Sequence, residues 1–233
     1  MGMKTDLQKL TKSAVSKRLT RAQGRIRMGT EAASALTMRD RKLGALIARI
    51  GQHRPIITSD PFTTLAGSIV SQQISMSAAA AVQRRVRELC PRKKLSPEAI
   101  LRLTPAKLRA AGLSRQKVVY MHDLADHFVR GELSSRSLRR MSDEEVIEAT
   151  TRVKGIGRWT AEMLLIFCLE RPDIWPIDDL GIRKAVRNHL GLADFPPKEV
   201  MHATGEPWRP YRSYASWYLW RSLEGPLMPG VRL

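Results

Sequence analysis

Cysteine and acidic charge are both scarce in this 233-residue chain, and each shortage carries a consequence. Two cysteines, Cys90 and Cys168, can build neither a disulfide framework nor a four-cysteine cluster, so an iron–sulfur cofactor is excluded and both thiols are expected to be reduced. No apolar run approaches the roughly 20 residues that span a bilayer, and no signal-peptide pattern opens the chain, which predicts a soluble intracellular protein without a membrane partner. Acidic residues number 22 against 40 Lys and Arg, a net charge of +18. So much self-repulsion points to a polyanionic partner, with nucleic acid first in line. A hydrophobic content of 43% is nevertheless enough to build a core.

Strand-like alternation is also missing. From about Asp40 onward the apolar spacing is helical nearly everywhere, which predicts an all-α fold. Helix starts are signalled at Ser96-Pro97, at Thr104-Pro105, and at Ser142 with Glu145 three residues on, a capping box that satisfies otherwise orphaned N–H groups. Helices are therefore expected to begin near Pro97, Pro105 and Asp143. Residues 1–42 carry 11 Lys and Arg against 3 acids, so residues 1–40 read as a basic arm. A solvated extension, a basic amphipathic helix (Leu7, Leu10, Ala14 and Val15 recur at near-helical spacing) and an organelle address all remain open for it.

The stretch VKGIGRWTAEMLLIF, residues 153–167, places Gly155 and Gly157 immediately before an apolar run. Two such glycines can make a tight turn between a helix ending near Arg152 and one starting near Trp159. N–H groups at the second helix start, with the positive end of its dipole, form a site for a phosphate flanked by Lys154 and Arg158. A bare GxG is equally compatible with a simple helix terminator. Further on, Asp178 and Asp179 follow Pro176 at the start of another helix. One of them is expected to be an ordinary N-cap, but an anion beside a basic, phosphate-binding surface needs a further reason.

Taken in order, IVSQQISMSAAA (69–80), VKGIGRWTAEMLL (153–165), WPIDDLGIRKA (175–185) and EPWRPYRSYASWYLWR (206–221) resemble the helix-hairpin-helix DNA glycosylases. Within that superfamily they resemble the alkylbase, or 3-methyladenine, branch. The resemblance covers residues 41–233, with the hairpin at about 143–169. It implies two helical subdomains flanking a DNA-binding cleft, and a monomer acting on duplex DNA with alkylated bases, in a bacterial cytoplasm or a nucleus.

Residue by residue, the resemblance makes Asp179 catalytic and Asp178 structural. Gln73, beside Gln72, falls where the family plugs the stack vacated by an extruded base. Trp159 falls where glycosylases with lyase activity carry a nucleophilic lysine. Met163, Tyr211 and Trp208 match or neighbour pocket positions, whereas Tyr214, Trp217, Tyr218 and Trp220 are expected in the core. Gly155, Gly157 and Thr160, with Lys154 and Arg158, are the expected hairpin contacts to DNA. The backbone carbonyls of Thr151, Val153 and Ile156 would be the ligands of a Na+ or K+ ion, and no cofactor is required. The function implied is excision of 3-methyladenine, 7-methylguanine or 1,N6-ethenoadenine by a monofunctional glycosylase. The alternatives are a non-catalytic helix-hairpin-helix DNA-binding protein and a glycosylase/lyase for oxidised bases.

Overall fold

The computed structural model describes residues 20, 23–58 and 60–224, which are helical with no strand among them. Among the described residues thirteen α-helices follow one another: α1 (23–39), α2 (Arg41–Ile50), α3 (Pro61–Ser71), α4 (Met76–Glu88), α5 (Pro97–Leu101), α6 (Pro105–Ala110), α7 (Arg115–Val129), α8 (Ser135–Arg140), α9 (Asp143–Thr151), α10 (Arg158–Phe167), α11 (Leu180–Leu190), α12 (Lys198–Gly205) and α13 (Arg212–Leu223). Short polar side chains start most of them. Ser96, Thr104 and Ser142 accept from the N–H three residues on, and Glu145 returns a bond to the Ser142 N–H at 2.7 Å. The starts expected at Pro97, Pro105 and Asp143 are therefore where the caps put them.

The chain forms two compact units, residues 1–55 with 177–233, and residues 56–176. In the first, α13 packs on α2 and α11, burying Leu43, Ile182, Val186, Tyr218 and Leu219. Residues 23–39 of the expected arm are helical, and Ala32 and Leu36 are fully buried, so apolar burial recruits this stretch to the unit. The expected amphipathic pattern at Leu7–Val15 lies outside the described residues. Asp40 joins the two ends of the unit. Its Oδ1 caps α2 through Leu43 N at 2.9 Å, while Oδ2 accepts from Trp208 Nε1 at 3.1 Å and meets His189 Nε2 at 2.9 Å.

In the second unit α3, α5 and α6 pack on α7, and α10 packs on α3 and α9. Phe62 of α3 meets Phe128 of α7 edge to face, with ring centroids 5.3 Å apart. Leu65, Ile69, Leu124, Leu164 and Leu165 are completely buried, each contributing roughly 1.5–3 kcal/mol of transfer free energy. Lys117 of α7 reaches the open end of α3, donating from Nζ to the carbonyls of Val70 (2.8 Å) and Gln72 (2.6 Å). That cation satisfies terminal carbonyls and fixes the turn that follows.

Candidate active site

Asp179 is the N-cap of α11, and the ordinary capping role and the expected catalytic role fall on the same carboxylate. Only 9% of the residue is exposed. Its Oδ1 accepts from Ile182 N at 2.7 Å and from Trp220 Nε1 at 2.8 Å. The second donor corrects the expectation that Trp220 serves packing alone: an indole N–H needs an acceptor when half-buried, and here it finds Asp179. Gly181 makes that approach possible, since a Cβ there would lie 3.0 Å from Trp220 Cδ1 and 3.1 Å from Asp179 Oδ1. Asp178 is exposed and pairs with Lys198 at 3.1 Å, in keeping with a structural role.

In the second unit, α9 and α10 flank the glycine turn, and the two glycines differ. Gly155 has φ +80°, and a Cβ there would run into the Tyr120 ring at 2.1 Å. Gly157, the N-cap of α10, has φ −98° and ψ 174°, which any residue adopts, and nothing lies within 4 Å of a Cβ placed on it. Only Gly155 uses the left-handed region; the fold itself does not require glycine at 157. α10 starts without a side-chain cap, and the space beside Gly157 at its head is open.

The hairpin's cations are engaged within the protein. Lys154 Nζ lies 3.4 Å from Asp123 Oδ1, and its N–H donates to Asp123 Oδ2 at 2.8 Å. Arg158 donates to Glu144 at 2.7 Å and to Glu162 at 3.3 Å, the Glu144 bond raising its already high pKa. Both were expected to flank a phosphate, but the acids of α7, α9 and α10 claim them first. Thr160 is 5% exposed, so its side chain is withdrawn and only its backbone N–H belongs to the helix start.

The turn after α3 is sewn to this hairpin. Gln72 donates from Nε2 to the Gly155 carbonyl at 2.8 Å. Gln73 is exposed, with φ +57°, a left-handed conformation uncommon for a residue with a side chain. Trp159, in the first turn of α10, is 47% exposed, and Met163 one turn on is half-buried.

Among the aromatics of the first unit, Tyr211 is half-buried and meets Tyr214 edge to face at 6.1 Å. Trp208 departs from its expected pocket role. It is 1% exposed, and its only ring N–H is given to Asp40, so it is a core residue. Tyr218 is in the core as expected. Tyr214 and Trp217 are only half-buried and clasp His53, with centroids 4.5 and 4.7 Å from it. No local pattern signals the parts played by Asp123, Tyr120 and Gly181, because each depends on a partner brought near only by packing: Lys154, Gly155 and Trp220.

Residues 66–210 match the profile of the HhH-GPD superfamily base excision DNA repair proteins. The chain is 34% identical over 198 residues to DNA-3-methyladenine glycosylase 1 of Schizosaccharomyces pombe, covering 83% of this chain and 87% of that one. Its fold is similar to the solved 3-methyladenine DNA glycosylase of that yeast in complex with abasic DNA (TM-score 0.77, 33% identity, 85% of this chain and 99% of that one). It is also similar to the DNA-3-methyladenine glycosidase of Bacillus halodurans (TM-score 0.76, 32% identity, 82% and 88%). With the glycine hairpin, the capped aspartate and these likenesses in hand, the chain belongs to the HhH-GPD superfamily of base excision DNA repair proteins.

Proposed function

We propose that the chain is a monofunctional DNA glycosylase that hydrolyses the N-glycosidic bond of alkylated purines in duplex DNA, 3-methyladenine and 7-methylguanine foremost. The carrying observation is the Asp179 carboxylate, 9% exposed and held by two donors, in a protein of net charge +18. Capping α11 accounts for the Ile182 bond, but a protein that only clamps phosphates has no use for the second donor, Trp220, that orients the same anion. Breaking the glycosidic bond leaves positive charge on the sugar, and a carboxylate fixed in advance stabilises that charge without reorganising. Asp179 also accepts a proton's worth of hydrogen bonding from the attacking water and so orients it.

Duplex DNA must give up the base before this chemistry begins. Gln73, exposed on its left-handed turn and tied through Gln72 to the hairpin, is assigned to fill the vacated stack. The N–H groups at the start of α10 take a phosphate through the open space at Gly157. Trp159, Met163 and Tyr211 are assigned to the extruded base, and the electron-rich indole face suits a cationic alkylpurine. An indole forms no Schiff base, so water is the nucleophile and an intact abasic site the product. Relatives named DNA-3-methyladenine glycosylase, one of them solved with abasic DNA, support the same substrate class.

No step calls for a metal or an organic cofactor. The carbonyls of Thr151, Val153 and Ile156 suit a Na+ or K+ ion in being neutral oxygens. The Val153 carbonyl already accepts from Ile156 N at 3.1 Å and keeps a second lone pair for such an ion. Its contribution would be to stiffen the turn. The protein works wherever its duplex substrate lies, a bacterial cytoplasm or a nucleus; no described helix is long and apolar enough to cross a membrane.

The test is incubation with duplexes carrying a panel of damaged bases, including 1,N6-ethenoadenine, each sample divided between hot alkali and borohydride. Strand breaks appearing only after alkali, on alkylpurine substrates, are expected. A borohydride-trapped adduct, or excision confined to oxidised bases, would overturn the reading.

A further inference from the structure

The charge of the second unit is not where its hairpin is. Residues 143–162, which contain α9, the turn and the start of α10, carry three Lys and Arg against five acids. Residues 84–109, in contrast, carry nine Lys and Arg against two acids. Arg84 and Arg87 lie on the side of α4 away from buried Val82 and Val86, and Arg92, Lys93 and Lys94 follow within two turns' length; all five are exposed. None of the five makes an ion pair or a side-chain hydrogen bond among the described residues. Arg92 and Lys93 also have φ of +56° and +55°, a left-handed pair that costs on the order of 1–3 kcal/mol per residue. Arg85 Nε donates to the Ala111 carbonyl at 2.8 Å, which brings the end of α6, with exposed Lys107 and Arg109, against α4.

We propose that this α4–α6 surface, centred on Arg84, Arg87, Arg92, Lys93 and Lys94, is a second DNA-binding surface that holds undamaged duplex through its phosphates, independently of the hairpin. The inference goes beyond base excision and uses only that duplex DNA is the partner. Composition selects the occupant. Residues 84–109 contain no Phe, Trp or Tyr. Without aromatics the surface has no stacking platform for single-stranded nucleic acid and none of the Trp or Tyr anchors enriched at protein interfaces. Of large apolar side chains it exposes only Leu89 and Leu101, far short of the broad aromatic and apolar face with which an interfacial helix enters lipid. Unpaired, long, flexible cations match the dense, sequence-independent phosphate array of a duplex. The hairpin, with its cations already paired to acids, contributes backbone N–H groups and little net charge. Within the second unit, attraction for normal DNA therefore falls to α4–α6.

The measurement is the affinity of the full chain for an undamaged duplex at several salt concentrations, which needs no excision to occur. Replacing Arg84, Arg87 and Lys93 together by Gln is expected to flatten the slope of log K against log[salt] by about two to three, at ~0.9 per lost phosphate contact, and to weaken low-salt binding at least tenfold. The control, Arg152→Gln with Lys154→Gln, removes hairpin cations paired with Glu148 and Asp123 and is expected to change the slope by less than about half of the ~0.9 that each lost phosphate contact contributes. Circular dichroism checks that each variant is folded. An unchanged slope in the triple variant, or a larger loss per charge in the control, would overturn the proposal. Competition by polyglutamate, or capture on anionic vesicles, as strong as competition by duplex of equal charge would overturn the assignment to DNA.

Discussion

Gln72 donates its side-chain N–H to the carbonyl of Gly155 at 2.8 Å, joining the turn that presents Gln73 to the hairpin that presents α10. The two features implied for base extrusion and phosphate binding are thus one mechanical piece. Gln72→Ala is expected to lower stability by about 0.5–1.5 kcal/mol, the usual worth of one hydrogen bond. It should slow excision by more than that figure alone allows, because Gln73 loses its placement. Urea titration set beside single-turnover excision tests this; equal losses in both would reduce Gln72 to a stabilising contact.

Gln73 carries a left-handed backbone that glycine adopts without penalty. Gln73→Gly should therefore leave stability unchanged or slightly raised while lowering the excision rate. Placing the lesion opposite a mismatch, where extrusion is easier, should restore part of the rate of Gln73→Ala. A glycine variant as active as wild type would remove Gln73 from the extrusion step.

The two hairpin glycines separate folding from binding. Gly155→Ala forces a Cβ into the Tyr120 ring at a positive φ, and a loss of several kcal/mol is expected in thermal unfolding. A Cβ at 157 meets nothing within 4 Å and the backbone there suits any residue, so Gly157→Val should fold while its DNA binding weakens, and by more than in Lys154→Ala, whose charge is already paired with Asp123. A lysine variant worse than the valine one would contradict a backbone clamp.

His53, packed by Tyr214, Trp217 and Tyr218, is held neutral by burial, which lowers its pKa to about 4. The unfolded chain takes up a proton near pH 6.5, so this residue's contribution is complete above that pH and is lost as pH falls toward 4. Between pH 7.5 and pH 5 the loss should approach about 2 kcal/mol. Urea unfolding at the two values checks it. His53→Phe should flatten that part of the profile, and an unchanged pH slope in the variant would show that other groups cause it.

Helix starts, the turn between α9 and α10, and the aspartate at the head of α11 could all be read from sequence because caps, glycines and apolar period act within a few residues. What escaped is long-range. Trp220 reaches Asp179 across 41 positions, and Gln72 reaches Gly155 across 83. Trp208 looked like a pocket aromatic beside Tyr211, yet Asp40, at the opposite end of its unit's sequence, draws it into the core. Charge pairing is long-range too: Lys154 and Arg158 flank the turn in sequence, but only the packing of α7, α9 and α10 shows Asp123, Glu144 and Glu162 set against them.

In the proposed mechanism Trp220 and Gly181 act through Asp179, whose carboxylate they contact or make room for. Trp220→Phe removes the indole donor at 2.8 Å while keeping an aromatic ring, and single-turnover excision should fall by about 10- to 100-fold, equivalent to roughly 1.4–2.7 kcal/mol. Gly181→Ala should fall in the same direction. Wild-type rates in both would leave the orientation of Asp179 without consequence.

Asp179 itself decides the central claim. Excision of 3-methyladenine from duplex DNA under single-turnover conditions, measured beside affinity for an abasic-site analogue, should separate chemistry from binding in Asp179→Asn. The predicted result is a rate loss of at least about 100-fold with abasic-site affinity unchanged or tighter, because the substitution removes both the stabilising charge and its repulsion of phosphate. Asp178→Asn should change little. Excision by Asp179→Asn at the wild-type rate would contradict the account.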